Sequence, residues 1–174
     1  MGTRRGSGPV RAGVRIATEG DAATLGAFIR SAWQEAGDGA PGSSGATDEV
    51  IDELADPEAM RTRLTADGRR MLLASLDDEP VGFAATRRLD GGDVELAGIV
   101  VRESATGHGF GAQLVAAAVD AARQDGCRRM LVRTEATNAR AIGFYRSLGF
   151  DPGATSVEVI EGTEVGVVEL TRAL

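Results

Sequence analysis

The sequence predicts one α/β domain built on a mixed sheet, and three observations carry that prediction. An apolar run, VELAGIVV at 94–101, empties into the glycine-rich turn TGHGFG at 106–111, which opens a helix; a second apolar run, MLVRTE at 130–135, follows that helix. Strand, helix and strand in this order give a right-handed parallel crossover. Period-two segments joined by short turns lie on both sides of the crossover, so hairpins extend the sheet in each direction. At 174 residues the chain fills one such domain and is short for two of ordinary size.

The elements follow in order. Residues 1–12 are rich in Gly and Arg without periodicity and are expected to form a disordered tail, with the domain at 13–174. Val14 and Ile16 around Arg15 suggest a short strand, and Asp21 can cap a helix that places Leu25, Phe28, Ile29 and Trp33 on one face. GDGAPGSSGA, 37–46, has loop composition, and Thr47 or Asp48 can then cap a second helical region through Val50, Ile51, Leu54 and, after Pro57, Met60 and Leu64. From Arg70 the period changes, and MLLASLDDEPVGFAATRRL reads as two strands joined by a tight turn at Asp77–Pro80. A turn at Asp90–Asp93 leads into the strand at 94–101. Phe110, Leu114, Ala117 and Ala121 recur at helical spacing until Gly126, and their small size suits close packing on a sheet. Asn138–Leu148 reads as a further helix with Ala141, Phe144, Tyr145 and Leu148 on one face, stopped by Gly149. VEVI, 157–160, and VGVVEL, 165–170, form a last hairpin.

Composition narrows the function. The chain carries 19 basic and 26 acidic residues, net charge −7, which argues against general affinity for nucleic acid or an anionic membrane. Every basic residue is Arg, so a Walker-type phosphate loop and lysine Schiff-base chemistry are both excluded. The single cysteine, Cys127, cannot form an internal disulfide, and no apolar run reaches the roughly 18 residues of a membrane span. A cytoplasmic location is the expectation. No His, Cys or carboxylate set has metal-ligand spacing, so no metal is expected.

The glycine turn is the strongest local signal. Gly107, Gly109 and Gly111 alternate with His108 and Phe110, so the backbone can come close to a ligand with its N–H groups turned outward. The unpaired N–H groups and dipole at the start of a helix favour an anion, above all a phosphate.

TGHGFGAQL resembles the acyl-coenzyme A loop of the N-acetyltransferases of the GNAT family, whose pattern is Arg or Gln, two residues, Gly, one residue, then Gly or Ala. NARAIGFYRSLGF, 138–150, resembles that family's second signature, in the right order and with a helix and a strand between the two. The resemblance implies one GNAT-like domain whose mixed, mostly antiparallel sheet has a central splayed parallel strand pair and about four flanking helices. It implies acetyl-coenzyme A (acetyl-CoA) as acyl donor, no metal, and direct transfer of the acetyl group to a primary amine of a small molecule or a protein N-terminus. A homodimer is left open. A non-catalytic acyl-CoA sensor on the same fold is the alternative; a dinucleotide-dependent oxidoreductase fits poorly, because the loop lacks the G-x-G-x-x-G spacing.

Residue by residue, the resemblance implies that the pantetheine arm lies between the splayed strands, with an N–H of Ile99, Val100 or Val101 toward the thioester oxygen. The pyrophosphate would meet the turn formed by Thr106, Gly107, His108, Gly109, Gly111 and Ala112. Thr106 stands where the family has Arg or Gln and brings no charge, so backbone N–H groups are expected to do most of the binding, with Arg102, Arg140 or Arg146 as candidate helpers. Tyr145 is placed as the proton donor to the departing thiolate, or else packs with Phe144 and Leu148. Asn138 contacts the pantetheine, caps its helix, or does both. Glu95 is placed as the base that takes the amine proton, often through water, with Glu135 as competitor and a solvated strand-end Glu as the plain reading. His108 reads as a neighbour of the phosphates rather than as a base, and Cys127 as a small core residue. Asp48, Glu49, Asp52 and Glu161 fit a cationic acceptor or a solvated face equally well.

Overall fold

A computed structural model describes residues 12–36, 48–160 and 162–174. The expected tail, apart from Ala12, the loop at 37–46, Thr47 and Glu161 lie outside the described residues. The elements are β1 (Ala12–Ile16), α1 (Ala22–Ala36), α2 (Asp48–Ala55), α3 (Pro57–Thr65), β2 (Arg69–Leu76), β3 (Glu79–Arg88), β4 (Asp93–Val101), α4 (Phe110–Gln124), β5 (Arg129–Glu135), α5 (Ala139–Ser147), β6 (Asp151–Ile160) and β7 (Thr163–Ala173). The strands form one sheet in the order β1-β2-β3-β4-β5-β7-β6, and every neighbouring pair is antiparallel except β4 with β5.

The expected sheet, with its parallel pair at the crossover, is therefore present; two elements differ from expectation. Among the described residues there are five α-helices where about four were expected, because Pro57 begins a new helix whose first turn is capped by Asp56, its carboxylate accepting the Ala59 N–H at 2.8 Å. β6 begins at Asp151 rather than Val157. Pro152 and Gly153 read as loop residues, but a register shift between Pro152 and Thr155 accommodates them in this edge strand. The turn between β2 and β3 has Asp77 and Asp78 at φ 50° and 68°, the left-handed pair that a two-residue hairpin requires and that Asp tolerates.

Two cores hold the layers together. The larger sits between the sheet and α4 and α5, where Leu114, Val119, Met130, Phe150 and Leu170 are almost fully buried. The smaller joins α1, α2 and α3 to β2 through Leu25, Ile29, Ile51, Met60 and Leu73. Gly26 lets α1 and α2 approach closely: a Cβ there would stand 2.4 Å from the Ala55 carbonyl oxygen.

The feature that positions the site is the incomplete pairing of β4 with β5. Their ladder covers only Asp93–Glu95 against Arg129–Leu131, whereas β3 follows β4 out to Val101 and β7 follows β5 out to Glu135. Beyond Glu95 and Leu131 the two strands part, leaving an opening inside the sheet. On the β3 side, Ala85 pairs with Gly98 and Thr86 with Leu96, so Ala97 is an extra residue, a bulge that bends β4 where the strands separate.

Candidate active site

At the far end of β4 the chain is returned to the sheet by the Arg102 N–H on the Val81 carbonyl (2.8 Å) and makes a single 3₁₀ turn over Glu103–Ala105. The Thr106 N–H closes that turn on Glu103 (3.0 Å), and its hydroxyl donates to the Arg102 carbonyl at 3.3 Å. Thr106 thus shapes the turn from within. Gly107 and Gly109 follow at φ +83° and +82°, a left-handed geometry that costs residues with a Cβ about 1–2 kcal/mol. Gly109 is the N-cap of α4 and no side chain caps that end; its carbonyl accepts the Gln113 N–H at 3.0 Å. The N–H groups of Phe110, Gly111 and Ala112 are consequently available to an anion at the positive end of the helix dipole. Space above Gly107 is open, and a Cβ on Gly111 would meet the Phe144 ring at 3.3 Å, so this glycine lets α5 close on the start of α4.

His108 is exposed on the turn, its Nδ1 3.2 Å from the Thr106 carbonyl oxygen. Of the candidate cationic helpers, Arg102 points elsewhere. Its guanidinium donates to Ser31 Oγ (2.8 Å), pairs with Glu35 (3.3 Å) and lies over the Phe28 ring, 5.4 Å from its centroid, tying the end of β4 to α1. Arg140 and Arg146 stand exposed on α5.

Ile99 and Val101 pack on the larger core while Val100 between them is exposed, as strand alternation requires. Successive N–H groups of a strand point to opposite edges, so at least one of these three residues presents its N–H away from β3 and into the opening. Asn138 caps α5: its Oδ1 accepts the Ala141 N–H at 3.0 Å. Tyr145 is buried against Phe144 and Phe150, in edge-on contacts with centroids 5.2 and 5.7 Å away. Burial pushes its phenol up to about 12. Raised that far, the phenol stays protonated throughout the physiological range, and its hydroxyl makes no hydrogen bond among the described residues.

Glu95 sits at the last paired position of β4, on the sheet face opposite Val94 and Leu96, which pack under α4. It is buried, and both carboxylate oxygens are taken: Oε2 by Nη2 and Nε of Arg87 (2.5 and 3.2 Å), Oε1 by Nη2 and Nε of Arg133 (3.0 and 3.3 Å). Burial alone would raise its pKa, but the hydrogen bonds and charges of the two arginines outweigh that and hold it below the ordinary carboxylate value. Arg133 also reaches Glu158 of β6 at 3.2 Å, across the intervening β7, so one row of alternating charge draws its residues from β3, β4, β5 and β6. Sequence reading singled out Glu95 but not Arg87, Arg133 or Glu158. Counting pairs outward from the β3–β4 turn, Arg88 against Val94 and then Arg87 against Glu95, sets the two together before the bulge at Ala97 is reached, so the hairpin register is the signal that could have found Arg87.

Among the described residues no group of three or more His, Cys, Asp or Glu could hold a metal ion, and no helix is long and apolar enough to cross a membrane. Glu135 closes β5 half-buried, and Cys127 lies in the larger core.

Comparison with known proteins agrees with this geometry. The L-methionine sulfoximine/L-methionine sulfone acetyltransferases of Pseudomonas paraeruginosa and Pseudomonas aeruginosa are each 34% identical to this chain over 105 residues, which is 57% of this chain and 60% of theirs. The match thus spans less than two thirds of either relative. Among solved structures, a ribosomal-protein-alanine N-acetyltransferase from Brucella melitensis superposes with TM-score 0.73 at 26% identity, over 92% of this chain and 99% of that one. The yncA acetyltransferase of Salmonella typhimurium, solved with its cofactor acetyl-CoA, gives 0.72 at 22% identity over 94% of both chains. Residues 33–150, more than half of the sequence, match the acetyltransferase (GNAT) family, and the chain belongs to that family.

Proposed function

We propose that this protein transfers the acetyl group of acetyl-CoA directly to a primary amine. The observation that carries the reading is the uncapped start of α4 opening at the mouth of the splayed β4–β5 pair. A pyrophosphate fits the first and an amide-bearing pantetheine arm fits the second. Acetyl-CoA supplies the activated thioester, and the chain supplies the rest. The N–H groups of Gly107, Gly109, Phe110, Gly111 and Ala112 hold the phosphates, with Thr106 and His108 shaping the turn. An N–H among Ile99, Val100 and Val101 polarises the carbonyl oxygen as negative charge develops there. The amide nitrogen of Asn138 stays free for the pantetheine while its oxygen caps α5.

Chemically, the amine nitrogen bonds to the carbonyl carbon, the carbon–sulfur bond breaks, and Tyr145 supplies a proton to the leaving sulfur. A phenol pushed up to about 12 is a weak acid, so Tyr145 acts as a hydrogen-bond donor whose transfer completes late, as the thiolate forms, and it regains its proton from solvent.

Glu95 enters this reading as a fixed charge. With both oxygens engaged and its pKa lowered, it is a poor match for a proton acceptor near neutrality, and the amine proton leaves through water. The expected pH profile follows. In the wild type, the rise of kcat/KM with pH tracks the ionisation of the acceptor amine, and Glu95→Gln keeps that rise. Loss of the acidic limb in Glu95→Gln would restore Glu95 as the base. The stability effect has a definite sign. A depressed carboxylate pKa stabilises the fold above the unfolded value of about 4.3 and ceases to do so as pH falls through the folded one, so Glu95→Gln destabilises at pH 7 and progressively less in acid.

Thiol release from acetyl-CoA with a panel of amines tests the reading as a whole. Turnover with any primary amine supports it. Tight acetyl-CoA binding by calorimetry with no turnover on any amine would favour a sensor, the reading that the uncharged Thr106 admits. Absence of binding would overturn both.

A further inference from the structure

We infer that the acceptor carries a carboxylate beside its amine, as an α-amino acid does, and that Arg87 is the residue that holds it. The inference rests on the acetyl-transfer reading and deepens it. The row Arg87, Glu95, Arg133, Glu158 lies on the face of the sheet away from α4, beginning where β4 and β5 part. It is therefore reached from the side opposite the glycine turn, the side left for an acceptor once the donor occupies the turn.

The two arginines differ in what they have left to offer. Arg133 is committed on both sides: Nη2 and Nε go to Glu95, and Nη1 goes to Glu158. Arg87 spends Nη2 and Nε on one oxygen of Glu95, and its Nη1 makes no hydrogen bond or ion pair among the described residues. Its side chain is 45% exposed although the carboxylate that clamps it is only 8% exposed. A guanidinium fixed from behind by a buried carboxylate and open in front is a preorganised anion anchor, and a carboxylate matches the fork it presents. The clamp removes the rotamer entropy that a free arginine would lose on binding. Beside it, the acidic members of the row suit the positive end of a zwitterion. The similarity to acetyltransferases of L-methionine sulfoximine and L-methionine sulfone, both α-amino acids, points the same way.

Two acceptors separate this inference from the reading beneath it: L-methionine sulfone, and the same molecule with its carboxylate converted to the primary amide. Charge-assisted hydrogen bonds of this kind correspond to about 10- to 100-fold in binding. Wild-type kcat/KM, measured by thiol release, is expected to favour the acid by about that factor even though the amide has the less basic, more readily deprotonated amine. Arg87→Ala is expected to bring the acid-to-amide ratio of kcat/KM to about one, whatever fall the loosened Glu95 imposes on both acceptors alike. Retained acetyl-CoA binding shows that the variant is folded. Arg87→Lys keeps the charge without the fork and is expected to restore part of the preference. Equal use of acid and amide by the wild type overturns the inference and leaves acetyl transfer standing. No thiol release with either, or with any other amine, overturns acetyl transfer and this inference with it.

Discussion

Tyr145→Phe is expected to lower kcat about 100-fold, the lower end of what a positioned proton donor contributes, while the Kd for acetyl-CoA stays within about twofold. The split is diagnostic because the ring and the hydroxyl do separate jobs. The ring packs edge-on against Phe144 and Phe150 in the larger core, and phenylalanine reproduces that packing without a gap. Only the hydroxyl is lost, and because it makes no hydrogen bond among the described residues its removal strands nothing. A structural tyrosine would therefore tolerate the change with little loss of stability or rate. The measurement is steady-state thiol release at saturating substrates beside calorimetric titration of acetyl-CoA. Unchanged kcat would remove Tyr145 from the chemistry; equal losses in kcat and affinity would make it a binding residue.

Phe150→Ala is expected to destabilise the fold by roughly 3–5 kcal/mol, among the larger costs a single core substitution produces. Phe150 is 1% exposed and stands against the Tyr145 ring just past the end of α5. For a chain of this length that corresponds to a fall in Tm on the order of 10 °C, readable by thermal or urea denaturation. The cavity opens beneath Tyr145, so on the proposed reading kcat is expected to fall further than the remaining folded fraction accounts for, with acetyl-CoA affinity less affected. Phe150→Leu, which refills most of the volume, is expected to recover most of the stability. A stability change under about 1 kcal/mol for Phe150→Ala would mean that the site collapses around the gap and that the aromatic trio is not what holds α5 in place.

The sheet and its crossover were legible because hydrophobic period and turn residues agree there. The Asp77–Asp78 hairpin turn, the glycines that open α4 and the Asn138 cap are local devices whose chemistry is written in adjacent residues. β6 was read short because Pro152 and Gly153 punctuate like a loop, and only pairing with β7 across a register shift overrides them. The glycine turn was legible as the opening of α4, yet Arg102, one residue past β4, gave no local sign that it would turn to α1: that depends on Ser31 and Glu35, some seventy positions earlier in the sequence. The Glu95 cluster was legible only as a lone carboxylate. Of its partners, Arg87 lies one hairpin away on β3, ahead of the bulge at Ala97, whereas Arg133 and Glu158 come from β5 and β6 and reach it only through the crossover and the last hairpin. Contacts across strands depend on register, and register is set by irregularities that composition does not reveal.

The parting of β4 from β5 has one further consequence. Protein sheets ordinarily expose unpaired strand edges only at their rims, where charge, proline or short length discourages another chain from adding to them. Here such edges face each other in the interior, along Leu96–Val101 and Val132–Glu135, and each half-sheet is complete on its other side. On the proposed reading, the pantetheine arm is the missing strand. The donor then is a removable part of the architecture as well as a reactant: its amides pair where a neighbouring backbone would, and each turnover takes apart and rebuilds one rung-bearing element of the sheet.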